Sequence, residues 1–176
     1  MSGKLRIGII GCGDFLRLRA ADLLSSRQVE VKLLYSPVNS ANAERYAEIF
    51  GAKAADSPEA IINDPEIDVV CVFVPPFVRK EYVLAAAKAG KQIVATKPLA
   101  ADLSDAREMT EAVEQAGVRC GVIYRRTNNP VIEAYKEIFS GGEFGKLALY
   151  KQDWLHHYPT WNRWATDPKK MVAHSW

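Results

Sequence analysis

The sequence has few cysteines, and they are scattered. There are 3 cysteines among 176 residues, Cys12, Cys71 and Cys120, and each lies within or beside a short apolar run. Three separated thiols provide neither a disulfide framework nor the four ligands of a structural metal site. We expect them to be small hydrophobic residues buried in the core.

The chain also lacks an excess of charge of one sign and any long hydrophobic run. Its 23 lysines and arginines against 21 acidic residues give a net charge of +2, with no basic block. The sequence therefore predicts neither nucleic acid nor membrane as a partner. No apolar run approaches the ~20 residues of a membrane span, and residues 7–12 are too short for a signal-peptide core. We expect a cytoplasmic protein whose partner is a small molecule.

What the sequence does contain is a globular composition and a regular alternation of strand and helix patterns. Hydrophobic residues make up 48% and charged residues 25%, and the length suits about one to one and a half domains. Such alternation is typical of a parallel sheet, so residues 1–123 are predicted to form a Rossmann-type doubly wound α/β domain. Strands are predicted at 5–10, 29–35, 67–74, 92–96 and 119–123, and helices at 15–25, 41–50, 58–63, 77–89 and 103–116.

Local signals mark the ends of several of these helices. Gly51 and Gly117 are predicted to stop the helices that precede them. Ser57 and Asp102 are predicted to cap the helices that follow them.

The alternation of strand and helix patterns ends after residue 123. Residues 124–130 are predicted to cross into a second region, which contains a helix at 131–139, a Gly141-Gly142 turn and a strand at 147–154. The remaining tail, 155–176, shows no period. We interpret 124–176 as the start of an incomplete α+β second domain.

A glycine pair follows the first predicted strand. Gly11 and Gly13 lie where the backbone would turn tightly and approach a pyrophosphate, and the next helix would direct free N–H groups at it. Leu16 occupies the place of a third glycine. Two alternatives remain open: a tight turn without a ligand, and a methyltransferase glycine loop, which normally has an acidic residue just before the glycines.

The end of the second predicted strand bears on the choice of cofactor. An NAD site usually has an acidic residue there to accept the ribose hydroxyls. Residues 35–40 contain no carboxylate and no arginine, but Ser36, Asn39 and Ser40 can donate hydrogen bonds. Cofactor choice stays open between NADP and NAD, with a slight preference for NADP.

Lys97 follows the fourth predicted strand, 92–96, and precedes Pro98. Ligands of open α/β sheets bind at the carboxyl ends of the strands. A lysine there can hydrogen-bond a substrate hydroxyl and assist its proton transfer.

Together these motifs resemble those of the Gfo/Idh/MocA family of NAD(P)-dependent oxidoreductases. The matching stretches are Gly8-Ile9-Ile10-Gly11-Cys12-Gly13, Asp64-Pro65-Glu66-Ile67-Asp68-Val69-Val70 leading to Pro75-Pro76, Ala87-Lys88-Ala89-Gly90-Lys91, Thr96-Lys97-Pro98-Leu99-Ala100, Tyr124-Arg125-Arg126, Gly141-Gly142-Glu143-Phe144-Gly145, and Trp164 with Asp167-Pro168.

The resemblance implies a dehydrogenase that transfers a hydride between nicotinamide and a sugar, inositol or related polyol. It implies that Lys97 is the catalytic lysine, contacting substrate and nicotinamide. It also implies a homo-oligomer in full-length relatives, whereas the oligomeric state of this chain stays open. The residues expected to bind the cofactor are Gly8, Gly11, Cys12, Gly13, Asp14, Phe15, Ser36, Val74, Pro75, Pro76, Thr96 and Lys97.

The chain departs from the family pattern in three places. Thr96 replaces the usual glutamate, and Arg79 stands where a histidine is common. The family's later glycine-rich segment and its Asp-x-x-x-His motif have no counterpart, and the histidines at 156, 157 and 174 do not match that motif. His156 and His157 can instead line a substrate pocket with nearby aromatic residues.

The end of the sequence suggests a truncated second domain. A family-like Asn-Gly-Gly-Pro-Phe-Met, read one nucleotide later, can spell the last six residues, 171–176. We therefore hypothesise that these residues are out of frame, which sequencing the gene past this point would test. Catalysis is then doubtful, and the alternatives are a non-catalytic NAD(P)-binding module or an inactive enzyme fragment.

Overall fold

The computed structural model describes residues 3–124, 129–146, 148–151 and 153. The chain divides into two compact units, and residues 3–123 are the described part of the first. Their core is a six-stranded sheet in the order β3-β2-β1-β4-β5-β6. Every pair of neighbouring strands is parallel. The strands are β1 (Leu5–Ile10), β2 (Val29–Tyr35), β3 (Lys53–Ala54), β4 (Val69–Val72), β5 (Gln92–Thr96) and β6 (Cys120–Ile123).

Helices connect the strands in the crossover manner that parallel neighbours require. A 3-10 turn, Pro76–Val78, leads directly into the fourth of them. The helices of the first unit are α1 (Asp14–Ser25), α2 (Ser40–Phe50), α3 (Pro58–Ile62), α4 (Arg79–Lys88) and α5 (Leu103–Ala116).

The strand order gives the sheet a point at which the chain changes direction. From β1 the chain builds outward through β2 and β3, and it then returns to place β4 on the other side of β1. The helices after β1 and β4 therefore lie on opposite faces of the sheet, and ligands of such sheets bind in the crevice at the carboxyl edge beside the two loops that lead to them.

Apolar side chains cover both faces of the sheet. In β4, Val70 and Val72 belong to one core cluster, and Val69 and Cys71 belong to the other. The first cluster includes residues of α3, α4 and α5, and the second includes residues of α1 and α2. The alternation of side chains along each strand thus produces two cores, one per face, as a doubly wound sheet needs.

The predicted Rossmann-type architecture is confirmed, and so are the four residues predicted to cap or stop helices. Gly51 and Gly117 adopt left-handed conformations after α2 and α5. The Ser57 and Asp102 side chains accept hydrogen bonds from backbone N–H groups in the first turns of α3 and α5. These are local interactions that the sequence displays directly.

Several boundaries differ from the prediction. The sheet has an additional short strand, β3, which contains too few residues to show a pattern. The strand predicted at 67–74 is shorter in the structure, where β4 covers Val69–Val72, although single backbone hydrogen bonds from Asp68 and Phe73 to β1 flank it. The helix predicted at 77–89 is divided, since a proline-led 3-10 turn precedes α4. Helix α1 begins at Asp14, one residue earlier than predicted.

The second unit is described at residues 124, 129–146, 148–151 and 153. It contains α6 (Pro130–Ser140), which Asn129 caps. The strand predicted at 147–154 is wrong for residues 148–151 and 153, which form no strand, and its other positions lie outside the described residues. The predicted histidine pocket and residues 171–176 also lie outside them.

Within the described part of the chain, no helix is long and apolar enough to cross a membrane. The cytoplasmic location stays a prediction.

Candidate functional site

The crevice at the carboxyl edge is bordered by the ends of β1, β2 and β4. The Gly11 N–H donates to the Tyr35 carbonyl at 2.8 Å, and the Phe73 N–H donates to the Ile10 carbonyl at 2.8 Å. These bonds continue the pairing one residue beyond the strands. The loop after β1 is therefore held between its two neighbours just where the crevice opens.

Gly11 allows the loops after β1 and β4 to touch. Its φ of +109° lies in a region that side chains disfavour. A Cβ at this position would lie 2.7 Å from both the carbonyl carbon and the carbonyl oxygen of Phe73. Because backbone atoms cannot yield as a flexible side chain can, only glycine fits here.

Gly13 has the opposite environment. It is exposed, and a Cβ added to it would meet nothing within 4 Å. It forms the N-cap of α1 without a side-chain hydrogen bond to the first-turn N–H groups. A helix start without a side-chain cap, facing open space, can accept negatively charged oxygens. The open start of α1 at Gly13 therefore fits the pyrophosphate of a dinucleotide.

The side chains next to these glycines are engaged within the protein. The buried Cys12 thiol donates to the Tyr35 carbonyl at 3.5 Å. Burial raises the pKa of Cys12 to about 12, so this thiol stays protonated at neutral pH. Asp14 pairs with Arg17 at 3.2 Å. Phe15 packs edge-on against Phe73, with ring centroids 4.9 Å apart. The backbone in this loop is the part left to contact a ligand.

The segment after β2 offers neutral polar groups. Ser36 is half-buried, and Val38 is 94% exposed. The Asn39 side chain accepts a hydrogen bond from the Ala41 N–H at 3.1 Å and so caps α2. That amide oxygen is therefore occupied by the helix. No acidic side chain lies between residues 35 and 40.

The loop after β5 is organised by a residue that no sequence motif marks. Arg79, the first residue of α4, is 1% exposed. Its Nη2 donates to the Val74 carbonyl and to the Thr96 hydroxyl, each at 2.5 Å. Its Nη1 donates to the carbonyls of Thr96 at 2.6 Å and Leu99 at 3.1 Å, and also to that of Pro98.

The Arg79 charge is buried without an acidic partner among the described residues. Burial lowers the pKa of Arg79 to about 10, so the guanidinium remains charged at neutral pH. Carbonyl dipoles and one hydroxyl compensate it, while Nε has no hydrogen-bond partner in the described part of the chain. The signal for Arg79 was periodicity, since it shares the buried face of α4 with Val83, Ala86 and Ala87.

Lys97 is exposed, although Thr96 before it is buried. It has no hydrogen-bond or ion-pair partner of its side chain among the described residues. The peptide bond from Lys97 to Pro98 is cis. The ammonium group is thus free to meet a ligand at the end of β5.

The structure brings most of the predicted residues to the carboxyl edge. Those at the ends of β1, β2, β4 and β5 are Gly11, Cys12, Gly13, Asp14, Phe15, Ser36, Val74, Pro75, Pro76, Thr96 and Lys97. Gly8 is separate from them, because it lies within β1 and makes room for the Ile61 side chain of α3. The Thr96 hydroxyl is bonded to Arg79. The assignment of these residues to the cofactor stays a prediction.

The fold and this crevice define an α/β protein of the Rossmann class, which binds dinucleotides at the switch point of its sheet. Residues 5–124 match the oxidoreductase family with an NAD-binding Rossmann fold. The chain belongs to this family, the Gfo/Idh/MocA oxidoreductases.

Characterised members are similar over most of the chain. A scyllo-inositol 2-dehydrogenase (NAD(+)) of Bacillus subtilis is 29% identical over 152 residues, covering 86% of this chain and 44% of that protein. A myo-inositol 2-dehydrogenase of Thermotoga maritima is 31% identical over 145 residues, covering 81% and 42%. The crystal structure of KijD10, a 3-ketoreductase from Actinomadura kijaniata in complex with NADP, superposes with a TM-score of 0.73 at 26% identity, covering 81% and 45%.

The chain thus spans less than half the length of the relatives that it matches.

Proposed function

We propose that this chain binds NADP or NAD at the crevice between the loops after β1 and β4. The observation that carries the proposal is the pair of glycines, one pressed against the Phe73 carbonyl and the other open to solvent at the start of α1. In this proposal Gly11 and Gly13 hold the pyrophosphate through the backbone. Val74, Pro75 and Pro76 form the opposite wall. The N–H groups of α1 offset the phosphate charge.

The bound cofactor would supply a hydride donor or acceptor at nicotinamide C4. Lys97 would hydrogen-bond the hydroxyl or carbonyl oxygen of the substrate and hold its proton during transfer. Its side chain is exposed at the end of β5 and has no partner among the residues that the structure describes, which supports this role. The substrate class is a sugar, inositol or related polyol, which the names of the inositol dehydrogenases and the 3-ketoreductase support.

We further propose that residues 1–123 are the cofactor domain and that 124–176 begin a substrate and oligomerisation domain. The family match over residues 5–124 supports the first assignment.

For the cofactor, we propose a modest preference for NADP. The segment 35–40 after β2 has no carboxylate to repel a 2′-phosphate or to hold the ribose hydroxyls. The half-buried Ser36 and the side chains of Asn39 and Ser40 are the proposed donors in this segment.

Fluorescence titration of the full chain with NADPH and NADH tests this function. We expect saturable binding of both, with NADPH bound more tightly. Failure to bind either at high micromolar concentration would overturn the proposal. Stronger binding of NADH would overturn only the preference.

Turnover is tested with a panel of polyols and sugars, comparing the unmodified chain with Lys97→Ala. If the chain is active, we expect Lys97→Ala to lower the rate by about 10²-fold or more while cofactor binding persists. Lys88→Ala is the matched control, because Lys88 is exposed in the last turn of α4, which leads to the opposite edge of the sheet. Equal activity in both variants would contradict the role of Lys97. Binding without any turnover would instead support a non-catalytic NAD(P)-binding module.

A further inference from the structure

We propose that Arg79 is a positioning residue that holds the Lys97 segment at the carboxyl edge of the sheet. The proposal rests on the function proposed for Lys97, and it adds a residue that does not itself reach the ligand. Arg79 is 1% exposed, and both of its terminal nitrogens donate hydrogen bonds to the protein. A ligand in the crevice would therefore meet the loop that Arg79 holds and would not contact the guanidinium.

One nitrogen atom of Arg79 binds the backbone on both sides of Lys97. Arg79 Nη1 donates to the Thr96 carbonyl just before Lys97 and to the Pro98 and Leu99 carbonyls just after it. Carbonyls on both sides of the lysine thus point to a single buried atom. The backbone of Lys97 has little freedom to move while these bonds exist, although its side chain is exposed and unpaired in the described structure.

The second nitrogen connects this loop to the wall of the crevice. Arg79 Nη2 donates to the Thr96 hydroxyl and to the Val74 carbonyl, which precedes Pro75 and Pro76. The planar fork of arginine allows both nitrogens to bind at once, which a lysine ammonium cannot reproduce. One guanidinium therefore fixes the distance between the loop after β4 and the loop after β5. These two loops carry the proposed cofactor wall and the proposed catalytic lysine.

Burial of the Arg79 charge is energetically unfavourable, so its position calls for an explanation. A buried cation without an acidic partner pays a large desolvation penalty, which carbonyl dipoles offset only when they are well placed. A purely structural link between α4 and its neighbour already exists nearby, where Lys80 pairs with Asp105 at 2.7 Å and with Glu108 at 2.9 Å. Arg79 differs from Lys80 because all of its bonds go to the two loops at the carboxyl edge.

Hydrogen exchange of the ligand-free full chain tests the proposal, with Arg79→Met compared with Lys80→Met. We expect Arg79→Met to accelerate amide exchange at residues 96–101 and 74–79 by roughly tenfold or more, and to leave β1 and β2 unchanged. The Lys80→Met control lies one residue away and removes a link between α4 and α5, so exchange at 96–101 should stay as in the unmodified chain.

Dinucleotide binding gives the second readout. We expect Arg79→Met to weaken NADPH binding by roughly tenfold or more, because the loop after β4, the proposed cofactor wall, is no longer held in place by its link to the loop after β5. Lys80→Met should bind within about twofold of the unmodified chain. Arg79→Lys should lie between, since the charge remains but the fork is lost.

If Arg79→Met does not fold, Arg79→Lys and Thr96→Val decide. Each removes part of the network, and each should accelerate exchange at 96–101 by a smaller factor. Acceleration spread evenly over all strands would overturn the proposal in favour of a general structural role. Unchanged exchange at 96–101 in the folded variants would overturn it as well.

The outcome is separable from that of the proposed function. If the unmodified chain binds neither NADPH nor NADH, the proposed function fails, yet the exchange data still decide whether Arg79 holds the Lys97 segment. If the unmodified chain binds and a loosened Arg79→Met chain binds equally well, the positioning role fails by itself.

Discussion

The loop after β1 and the loop after β5 reach the same edge of the sheet, but they are held there in opposite ways. The first depends on a missing side chain, because the hydrogen atom of Gly11 occupies the space next to the Phe73 carbonyl that a Cβ would need. The second depends on a large side chain from another element, because Arg79 binds three carbonyls and a hydroxyl around Lys97, and it also binds the Val74 carbonyl after β4.

The difference shows that one site can combine a local backbone feature with contacts between residues that are distant in the sequence. A glycine at a strand end acts through the conformation of its own backbone and its immediate contacts. A buried cation acts through a network whose members must all be present, since an unsatisfied buried group is costly. We expect the glycine loop to tolerate changes in its surroundings, and the lysine loop to respond to changes in α4.

The largest effect should come from Gly11→Ala. The added Cβ would lie 2.7 Å from backbone atoms of Phe73, and φ is +109°. Strain and displacement of the loop after β4 should lower the free energy of unfolding by about 3 kcal/mol and abolish NADPH binding. Denaturant unfolding and fluorescence titration measure the two effects. Unfolding and binding both equal to those of the unmodified chain would show that the two loops are not in close contact.

Gly13→Ala sharpens the comparison, since it adds the same methyl group two residues later. Nothing lies within 4 Å of the added Cβ, and φ is −94°, which alanine adopts freely. Stability should change by less than about 0.5 kcal/mol. NADPH binding should weaken by roughly tenfold, because the methyl group fills the space over the start of α1.

Two results for Gly13→Ala would contradict this comparison of the glycine variants. A large loss of stability in Gly13→Ala would mean that the open space is closed in solution. Unchanged NADPH affinity would mean that the pyrophosphate does not lie at the start of α1.

The smallest expected change in stability concerns Arg6, which forms a partly exposed ion pair instead of a buried network. Arg6 pairs with Asp68 at 2.8 Å, and both side chains are partly exposed. The Arg6 hydrogen bond lowers the pKa of Asp68 from 3.8 to about 2. A depressed carboxyl pKa contributes stability that is fully present above pH 3.8 and is lost as the pH falls through 2.

Asp68→Asn should therefore reduce stability slightly at neutral pH and flatten its decline between pH 4 and pH 2. Thermal unfolding across that range measures the change, and NADPH binding at neutral pH should be unaffected. If Asp68→Asn left the decline between pH 4 and pH 2 unchanged, the ion pair would not form in solution. Arg6 could then no longer serve as the exposed, ion-paired arginine with which the buried Arg79 is compared.

Much of the first unit could be predicted from the sequence. The bounds of β1, β2, β5 and α5 are those expected. Each of these elements is a distinct apolar run or amphipathic stretch, and α5 also has a clear stop signal in Gly117. The two-residue β3 is too short for any period, and β4 is shorter than its apolar run because pairing depends on its neighbours.

The candidate site divides in the same way. Gly11 and Lys97 could be found because strand-end position and residue type are visible in the chain. The environment of Thr96 could not be found, because its hydroxyl bonds to an arginine 17 positions away. Gly8 belongs to the stretch that resembles the family, but its packing against Ile61 requires α3 to be in place.

The sequence by itself determined the alternation of strands and helices, the ends of the helices and the glycine loop, because these depend on residues a few positions apart. Tertiary structure alone decided that Gly11 touches the Phe73 carbonyl and that Arg79 holds the backbone on both sides of Lys97. The physical reason is that hydrogen bonds and steric contacts between separate loops are defined only once the parallel sheet has aligned the carboxyl ends of its strands.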